Sequence, residues 1–435
     1  FVIDGVPIDN SNLKSGTGRF DTDAGGTQAA IDFGNSGADI NPDDIASVSV
    51  LKGPNAAALY GARAANGVVL IETKSGRSGR GLGVEVNSSL TSQTILELPD
   101  YQNEYGQGAG DTFEFIDGSN GDGGDDISYG PPLDEGLEFV QFGSNGEPVP
   151  WVSHPDNVRN FFDTGLTATN NIAFSGGTEA VSYRLSYTNL AQRGIVPNTD
   201  LGRHSVSLNT DFDVTDRFRA TAVANYIQTD SDNRMGGGYD DQNVMKQFSW
   251  FGRQVDIAAL EQFADGNALN WNTRFNENPW FTVLRNTNGM ERDRVFGATT
   301  LRFDVTDWLS LQGRAGLDRY NETREVRRAH NGYEFPNGAF TRERFNVIEV
   351  NTDFLFTASR SVGTDLGLEL SAGGNRMRRT FEEDLLRARE LAVPNVFNLA
   401  NARGIPVANN RLEEKQINSL YALGEVSYRN LLFLN

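Results

Sequence analysis

The stretch from Asn41 to Lys74, NPDDIASVSVLKGPNAAALYGARAANGVVLIETK, reads as a compact α/β unit. Asn41 is suited to cap a helix, Pro42 to its first position, and Asp43 and Asp44 complement the helix dipole in the first turn. Val48, Val50 and Leu51 follow as a short strand that Gly53-Pro54 stops. Asn55 is placed to cap a second short helix, Ala56 to Tyr60, which Gly61 ends. Asn66-Gly67 is a tight-turn signal, and Val68 to Ile71 is an apolar run of strand length. A strand buried on both faces reads that way.

Outside this unit, composition narrows the function classes. The chain has 435 residues and a formal net charge of −20, with a sequence pI near 4.6. That balance argues against a nucleic-acid partner, and the net sign is wrong for docking the chain as a whole on an anionic membrane surface. Cysteine is absent, which removes disulfides, zinc fingers and thiol nucleophiles. His154, His204 and His330 are the three histidines and lack ligand spacing, so no metal site is read from them. Mean hydropathy is −0.44, and no run is long and apolar enough for a transmembrane helix. A membrane β-barrel has the same profile, because lipid-facing and lumen-facing residues alternate.

After Ser75 to Gly81 (SGRSGRG), which reads as a flexible linker, the pattern turns to period two. Val181, Tyr183, Leu185 and Tyr187 share one face, and Ser182, Arg184, Ser186 and Thr188 share the other. Val206, Leu208, Thr210 and Phe212 repeat the pattern against Ser205, Ser207, Asn209 and Asp211. Leu301, Phe303 and Val305 do so against Thr300, Arg302 and Asp304, and Leu366, Leu368 and Leu370 against Gly367, Glu369 and Ser371. A one-face-polar sheet in water alternates equally well, so the connections carry more weight. Phe212-Asp213-Val214-Thr215-Asp216-Arg217-Phe218 recurs as Phe303-Asp304-Val305-Thr306-Asp307-Trp308-Leu309, each a tight polar turn. Such turns alternate with longer insertions at about 93–163, 194–202, 231–292, 329–341 and 384–411, the asymmetry of an outer-membrane barrel. The pattern amounts to about eleven strands.

Three stretches offer binding chemistry. The loop Asp117 to Asp126 is acidic and Gly-rich, with Asp117, Asp122, Asp125 and Asp126 as calcium candidates. It departs from EF-hand spacing, and a solvated loop suits it better. Gln242 to Phe263 has helical spacing at Val244, Phe248, Phe251, Val255 and Ala259, and predicts a helix on the barrel rim. Beyond it, Trp271 and Trp280 among several Asn residues suit a glycan, aromatic face under sugar CH groups and amides at the edge. They equally suit a small loop core or an interfacial girdle. Tyr101, Tyr105, Tyr129 and Trp151 form a third candidate, lining an entrance. No constellation places a catalytic acid, nucleophile or triad, so no enzyme is read.

The run from Leu51 to Lys74, and Ala56 to Gly67 above all, resembles the end of the plug domain of TonB-dependent outer-membrane transporters of the SusC/RagA group. FVIDGVPI, Phe1 to Ile8, resembles an earlier plug motif of that group. An Asp-Ala pair often stands there in place of Gly53-Pro54, and the Gly-Pro form is nearer to the wider family. A phosphate-binding loop is the competing reading, but no Gly-Lys-[Ser/Thr] follows. The resemblance implies residues 1–78 as the C-terminal part of the plug and 79–435 as the N-terminal half of a mainly β, antiparallel transmembrane barrel of about 22 strands. On this reading the chain is a fragment, cut at both ends.

The function so implied is active import of oligosaccharides or peptides across the bacterial outer membrane. Its energy is the proton-motive force delivered by the TonB complex, with no cofactor, and a SusD-like surface lipoprotein is the partner. Plug-mechanism residues are then Gly53, Pro54, Tyr60, Gly61, Arg63, Asn66 and Gly67. Arg63 reads either as a latch to wall carboxylates or as a local helix-end ion pair. A non-transporting receptor or adhesin, and a soluble β-rich carbohydrate-binding protein or hydrolase, stay open as alternatives.

Overall fold

The computed structural model describes residues 1–8, 30–35, 39–52, 66–76, 81–110, 112–113, 127–144, 146–239, 242–261, 271–272, 276–332, 334–363, 365–429 and 432–434. Two sheets dominate. The smaller begins with a hairpin, β1 (Val2–Ile3) and β2 (Val6–Pro7), closed by Asp4-Gly5. Both turn residues have positive φ, 47° and 81°, as a two-residue hairpin of the primed type demands. Next come a 3-10 turn, Pro42–Asp44, capped by the Asn41 side chain on Asp43 N, and strands β3 (Ile45–Leu51) and β4 (Val68–Thr73). The apolar run of β4 takes the interior position, parallel to β1 and antiparallel to β3. Gly67, at φ 101°, brings the chain into β4 so tightly that a Cβ would stand 2.8 Å from the Leu51 carbonyl oxygen. The second helix expected at Ala56 to Tyr60 lies outside the described residues.

The larger sheet has eleven strands, each hydrogen-bonded to its neighbours in sequence. They are β5 (Gly83–Gln93), β6 (Gly165–Gly177), β7 (Val181–Arg193), β8 (Asp200–Thr215), β9 (Phe218–Ser231), β10 (Asn288–Thr306), β11 (Leu309–His330), β12 (Asn337–Val362), β13 (Leu366–Ala388), β14 (Val407–Tyr428) and β15 (Leu432–Leu434). Every pairing is antiparallel. The end strands β5 and β15 are not paired with each other, so the wall is open.

Connections at one end of this wall are 178–180, 216–217, 307–308, 363–365 and 429–431; at the other, 94–164, 194–199, 232–287, 331–336 and 389–406. The alternation of short and long is complete. The first long connection keeps its expected length, and the other four are shorter than expected because the strands run on past the point where the sequence loses its alternation. β12 has 26 residues, whereas about 9–11 cross a bilayer at barrel tilt. The extra length continues past the apolar stretch of the outward face, where polar side chains replace it.

The two recurrent turns share one construction. Each preceding strand carries a register shift, at Asp213/Thr215 and at Asp304/Thr306. The threonine hydroxyl then accepts a backbone N–H within the turn, Arg217 N on Thr215 Oγ1 and Trp308 N and Leu309 N on Thr306 Oγ1.

Burial is inverted relative to a protein folded in water. On β7, Tyr183, Leu185 and Tyr187 are 37%, 41% and 42% exposed, while Arg184, Ser186 and Thr188 between them are 4%, 1% and 5% exposed. Val206, Leu208, Phe212, Leu301, Phe303, Val350, Phe354, Phe356, Leu368 and Leu370 continue the outward apolar face, and Ser207, Asn209, Asn225, Arg292, Arg294, Asp318 and Glu349 the buried polar one. A soluble sandwich would bury the oily face against a second sheet, since apolar surface in water costs about 25 cal/mol per Å². No second sheet covers it among the described residues. The polar face is instead covered by the small sheet.

Candidate functional site

Hydrophobic contact seats the small sheet first. Ile3, Val6, Ile8 and Ile71 pack with Ile227, Phe296 and Ala298, which are apolar exceptions on the inward face of β9 and β10. Around this patch the contact is polar and charged. Asp44 Oδ1 meets Arg184 at 2.6 Å, both side chains buried. Asp39 Oδ2 meets Arg294 at 3.0 Å, and its other oxygen lies 3.5 Å from Arg292 and 3.7 Å from Arg203. Arg294 is held in place by both oxygens of Asp318, at 2.9 and 2.8 Å, and Arg292 by Glu322 at 2.6 Å. Planar guanidinium groups gripped from behind in this way present a fixed face to the incoming carboxylate.

Neutral groups complete the seam. Asn41 donates to Thr188 Oγ1 at 2.7 Å, and Asn209 donates to Thr73 Oγ1 and to the Lys74 carbonyl. Lys74 pairs with Glu85 at 2.9 Å. Arg324 lies over the Phe33 ring, 4.3 Å from its centroid. Gly5 stands directly under the Arg314 guanidinium, which Asp353 holds at 2.8 Å, so a side chain at Gly5 would collide with it. Inside the small sheet, Asp4 accepts from both the backbone N–H and the hydroxyl of Thr73. Burial nevertheless pushes its carboxyl above the usual range.

At the long-connection end, 94–164 and 232–287 build a common core. α1 (Asn157–Phe161), α2 (Val244–Trp250), α3 (Ile257–Glu261) and α4 (Pro279–Arg285) surround Phe161, Phe248, Phe251, Val255 and Leu260. The single helix expected over 242–263 is two. Arg253 folds back to donate to the Phe248 and Phe251 carbonyls, ending α2, and the chain turns before Ile257.

The binding aromatics need correction. Trp151 is 0% exposed, donating its indole N–H to the Pro131 carbonyl and packing on Phe113 and Phe139, and Trp271 is 1% exposed against Phe251. Trp280 is half-buried, with its N–H on the Ile257 carbonyl and its ring on Phe161. Trp151 and Trp271 have become loop core, with no open face for a sugar, and Trp280 packs against that core half-buried. Tyr101 lies under Arg253, 4.5 Å from the ring centroid, and burial raises its phenol above the usual range. Tyr105 and Tyr129 are exposed. Gly53, Pro54, Tyr60, Gly61 and Arg63, and the acidic residues Asp117, Asp122, Asp125 and Asp126, lie outside the described residues. Among those described, no group of His, Asp or Glu is arranged to hold a metal.

Sequence reasoning missed the seam itself. It looked for a plug arginine against wall carboxylates, whereas Asp39 and Asp44 run the pairing the other way. Arg184, Arg292 and Arg294 stand at inward positions of alternating strands, each demanding a counter-charge from whatever fills the lumen. That signal was available.

The arrangement has known counterparts. Residues 1–68 match the TonB-dependent Receptor Plug Domain family. TonB-dependent receptor P3 of Formosa agariphila is 31% identical over 181 residues, 41% of this chain and 15% of that protein. TonB-dependent receptor SusC of Bacteroides thetaiotaomicron is 29% identical over 208 residues, 48% of this chain and 16% of SusC. The RagAB peptide importer in its closed-closed state superposes with a TM-score of 0.71 at 19% identity, over 91% of this chain and 46% of that one. Residues 1–68 are similar to a TonB-dependent receptor plug domain, and the chain resembles TonB-dependent receptors of the SusC/RagA type. It spans less than half the length of the relatives it matches. The small sheet falls largely within the residues that match the plug family, and the eleven-stranded sheet follows it in a fold shared with that importer.

Proposed function

We propose that residues 1–78 belong to the plug and 79–435 to the N-terminal half of a barrel in the bacterial outer membrane. On this reading the receptor imports oligosaccharides or peptides, with the TonB complex delivering the proton-motive force and a SusD-like lipoprotein presenting cargo at the long-loop end. One observation carries the reading: a plug fixed by buried carboxylates to the polar face of a wall whose other face is oily. Such a seam closes the lumen at rest, and only mechanical work on the plug separates Asp39 and Asp44 from their arginines. Withdrawal of the plug then leaves Arg184, Arg203, Arg292 and Arg294 facing the lumen. Burial of Trp151 and Trp271 takes two aromatics from the loop argument for sugars and leaves Tyr105 and Tyr129 exposed, and sugar and peptide stand level as cargo.

The chain has no cysteine of its own, which makes the seam easy to lock. Asn41→Cys with Thr188→Cys, joined by a short bis-maleimide, should stop TonB-dependent uptake of labelled oligosaccharide or oligopeptide pools, while either single cysteine leaves uptake intact. Uptake that persists in the cross-linked receptor contradicts plug movement. Binding of either pool without TonB-dependent accumulation favours the receptor or adhesin reading.

A further inference from the structure

The outward face of β12, β13 and β14 carries a cleft that the import reading does not use. Phe354, Gly374 and Leu420 stand opposite one another across the three strands. The missing side chain at Gly374 leaves a space of about 520 Å³ lined by Thr352, Phe354, Gly374, Arg376, Asn418 and Leu420. A Cβ at this position would come 2.9 Å from Leu420 and 3.0 Å from Phe354, so glycine keeps the cleft open. Below it, outward positions are apolar or glycine along β13 from Leu366 to Gly374 and along β14 from Tyr428 to Leu420. Each run matches the length that crosses a bilayer at barrel tilt, about 9–11 residues.

Directly above, toward the long-loop end, the next two outward positions of β13 are Arg376 and Arg378. Among the described residues Arg376 reaches Gln416, at 3.4 Å, and Arg378 pairs with Glu414 at 3.3 Å on the open surface. Arg319 of β11 lies in the register row of Ile348 and Thr380, one row above Arg378, and makes no ion pair among the described residues. Three guanidinium groups against one carboxylate thus stand where an apolar belt ends.

We propose that this cleft holds an anionic lipid of the outer leaflet. An acyl chain lies over Gly374 between Phe354 and Leu420, and the phosphate is bound by Arg376 and Arg378, with Arg319 contributing charge. Guanidinium forks match phosphate oxygens in pairs of hydrogen bonds, and at the edge of an apolar belt the neighbouring medium is headgroups rather than protein. The proposal rests on the outer-membrane reading.

The test uses receptor purified from outer membranes and reconstituted in phosphatidylcholine vesicles, with spin-labelled phosphatidylglycerol or phosphatidylcholine as probe. Wild type should immobilise the anionic probe in preference to the zwitterionic one, and the R376Q/R378Q variant should lose roughly fivefold or more of that preference. Gly374→Leu, which fills the cleft and leaves the arginines, should reduce the immobilised anionic probe. An unchanged preference in R376Q/R378Q overturns the proposal. An unchanged signal in Gly374→Leu, with the preference abolished by free inorganic phosphate, overturns the acyl-chain assignment. Absence of any immobilised lipid, anionic or zwitterionic, overturns the membrane reading itself.

Discussion

Asp44 and Arg184 approach to 2.6 Å with both side chains almost closed to solvent, and pairs of this kind are asymmetric in what they cost. Keeping both partners adds little to stability, whereas removing one strands a buried charge at about 3–5 kcal/mol. Asp44→Asn therefore loosens the plug: with only Glu85 left, 3.9 Å from Arg184, amide exchange along Val68–Thr73 should accelerate by two orders of magnitude or more while wall amides are unchanged. Equal exchange in variant and wild type would place the plug's hold in its apolar patch alone. Asp4 adds a pH dependence whose sign is fixed by its environment. Burial raises its folded pKa above the reference 3.8, so the contribution of the neutral carboxyl is complete below that value and is lost as pH rises through the raised one. Asp4→Asn tolerates the positive φ and retains an acceptor for the Thr73 N–H. Plug protection, measured by exchange at Thr73, should then fall less between acidic and neutral pH than in wild type. Legibility at this scale was uneven. Asn66-Gly67 announced its turn because its backbone demand is local, whereas the Asp4-Gly5 turn was not read, and Asp44 was read as a helix-dipole residue because its partner is 140 positions away.

Among the elements, the wall strands were the most legible, since alternation is a property of neighbours and needs no tertiary information. β7 and β8 bury and expose the residues that the period-two reading assigned, whereas on β13 Ser371 is buried as assigned but Glu369 is exposed beside Leu368 and Leu370. Strand ends were not legible. Toward the long-connection end the outward face turns polar, as at Arg342 and Arg344 on β12, and the pairing continues without the pattern that marked it. The helical stretch 242–263 failed for a related reason: periodicity fixed the buried face but not the break, which depends on Arg253 finding carbonyls to cap. The repeated turns make a prediction of their own. Thr306→Ala removes the acceptor for two turn N–H groups, and Thr215→Ala for one. Each should cost about 1 kcal/mol in urea unfolding from vesicles, with the Thr306 variant the more affected. No loss in either would assign turn geometry to the bulges alone.

For the molecule as a whole, the distribution of polarity outweighs any single contact. An oily surface stands open on one side of the wall, and a buried layer of Arg, Asp, Glu, Asn and Ser stands on the other, closed by a plug with complementary carboxylates. Lipid outside and a blocked aqueous lumen inside satisfy both faces together; water outside satisfies neither. The cysteine-free chain permits a direct measurement. Leu185→Cys and Ser186→Cys place a bimane label at adjacent positions of β7, one outward and one facing the plug. In vesicles containing brominated acyl chains, the label at 185 should be strongly quenched and the label at 186 should not. Quenching at 186, or quenching at 185 by aqueous iodide but not by brominated lipid, would contradict the account.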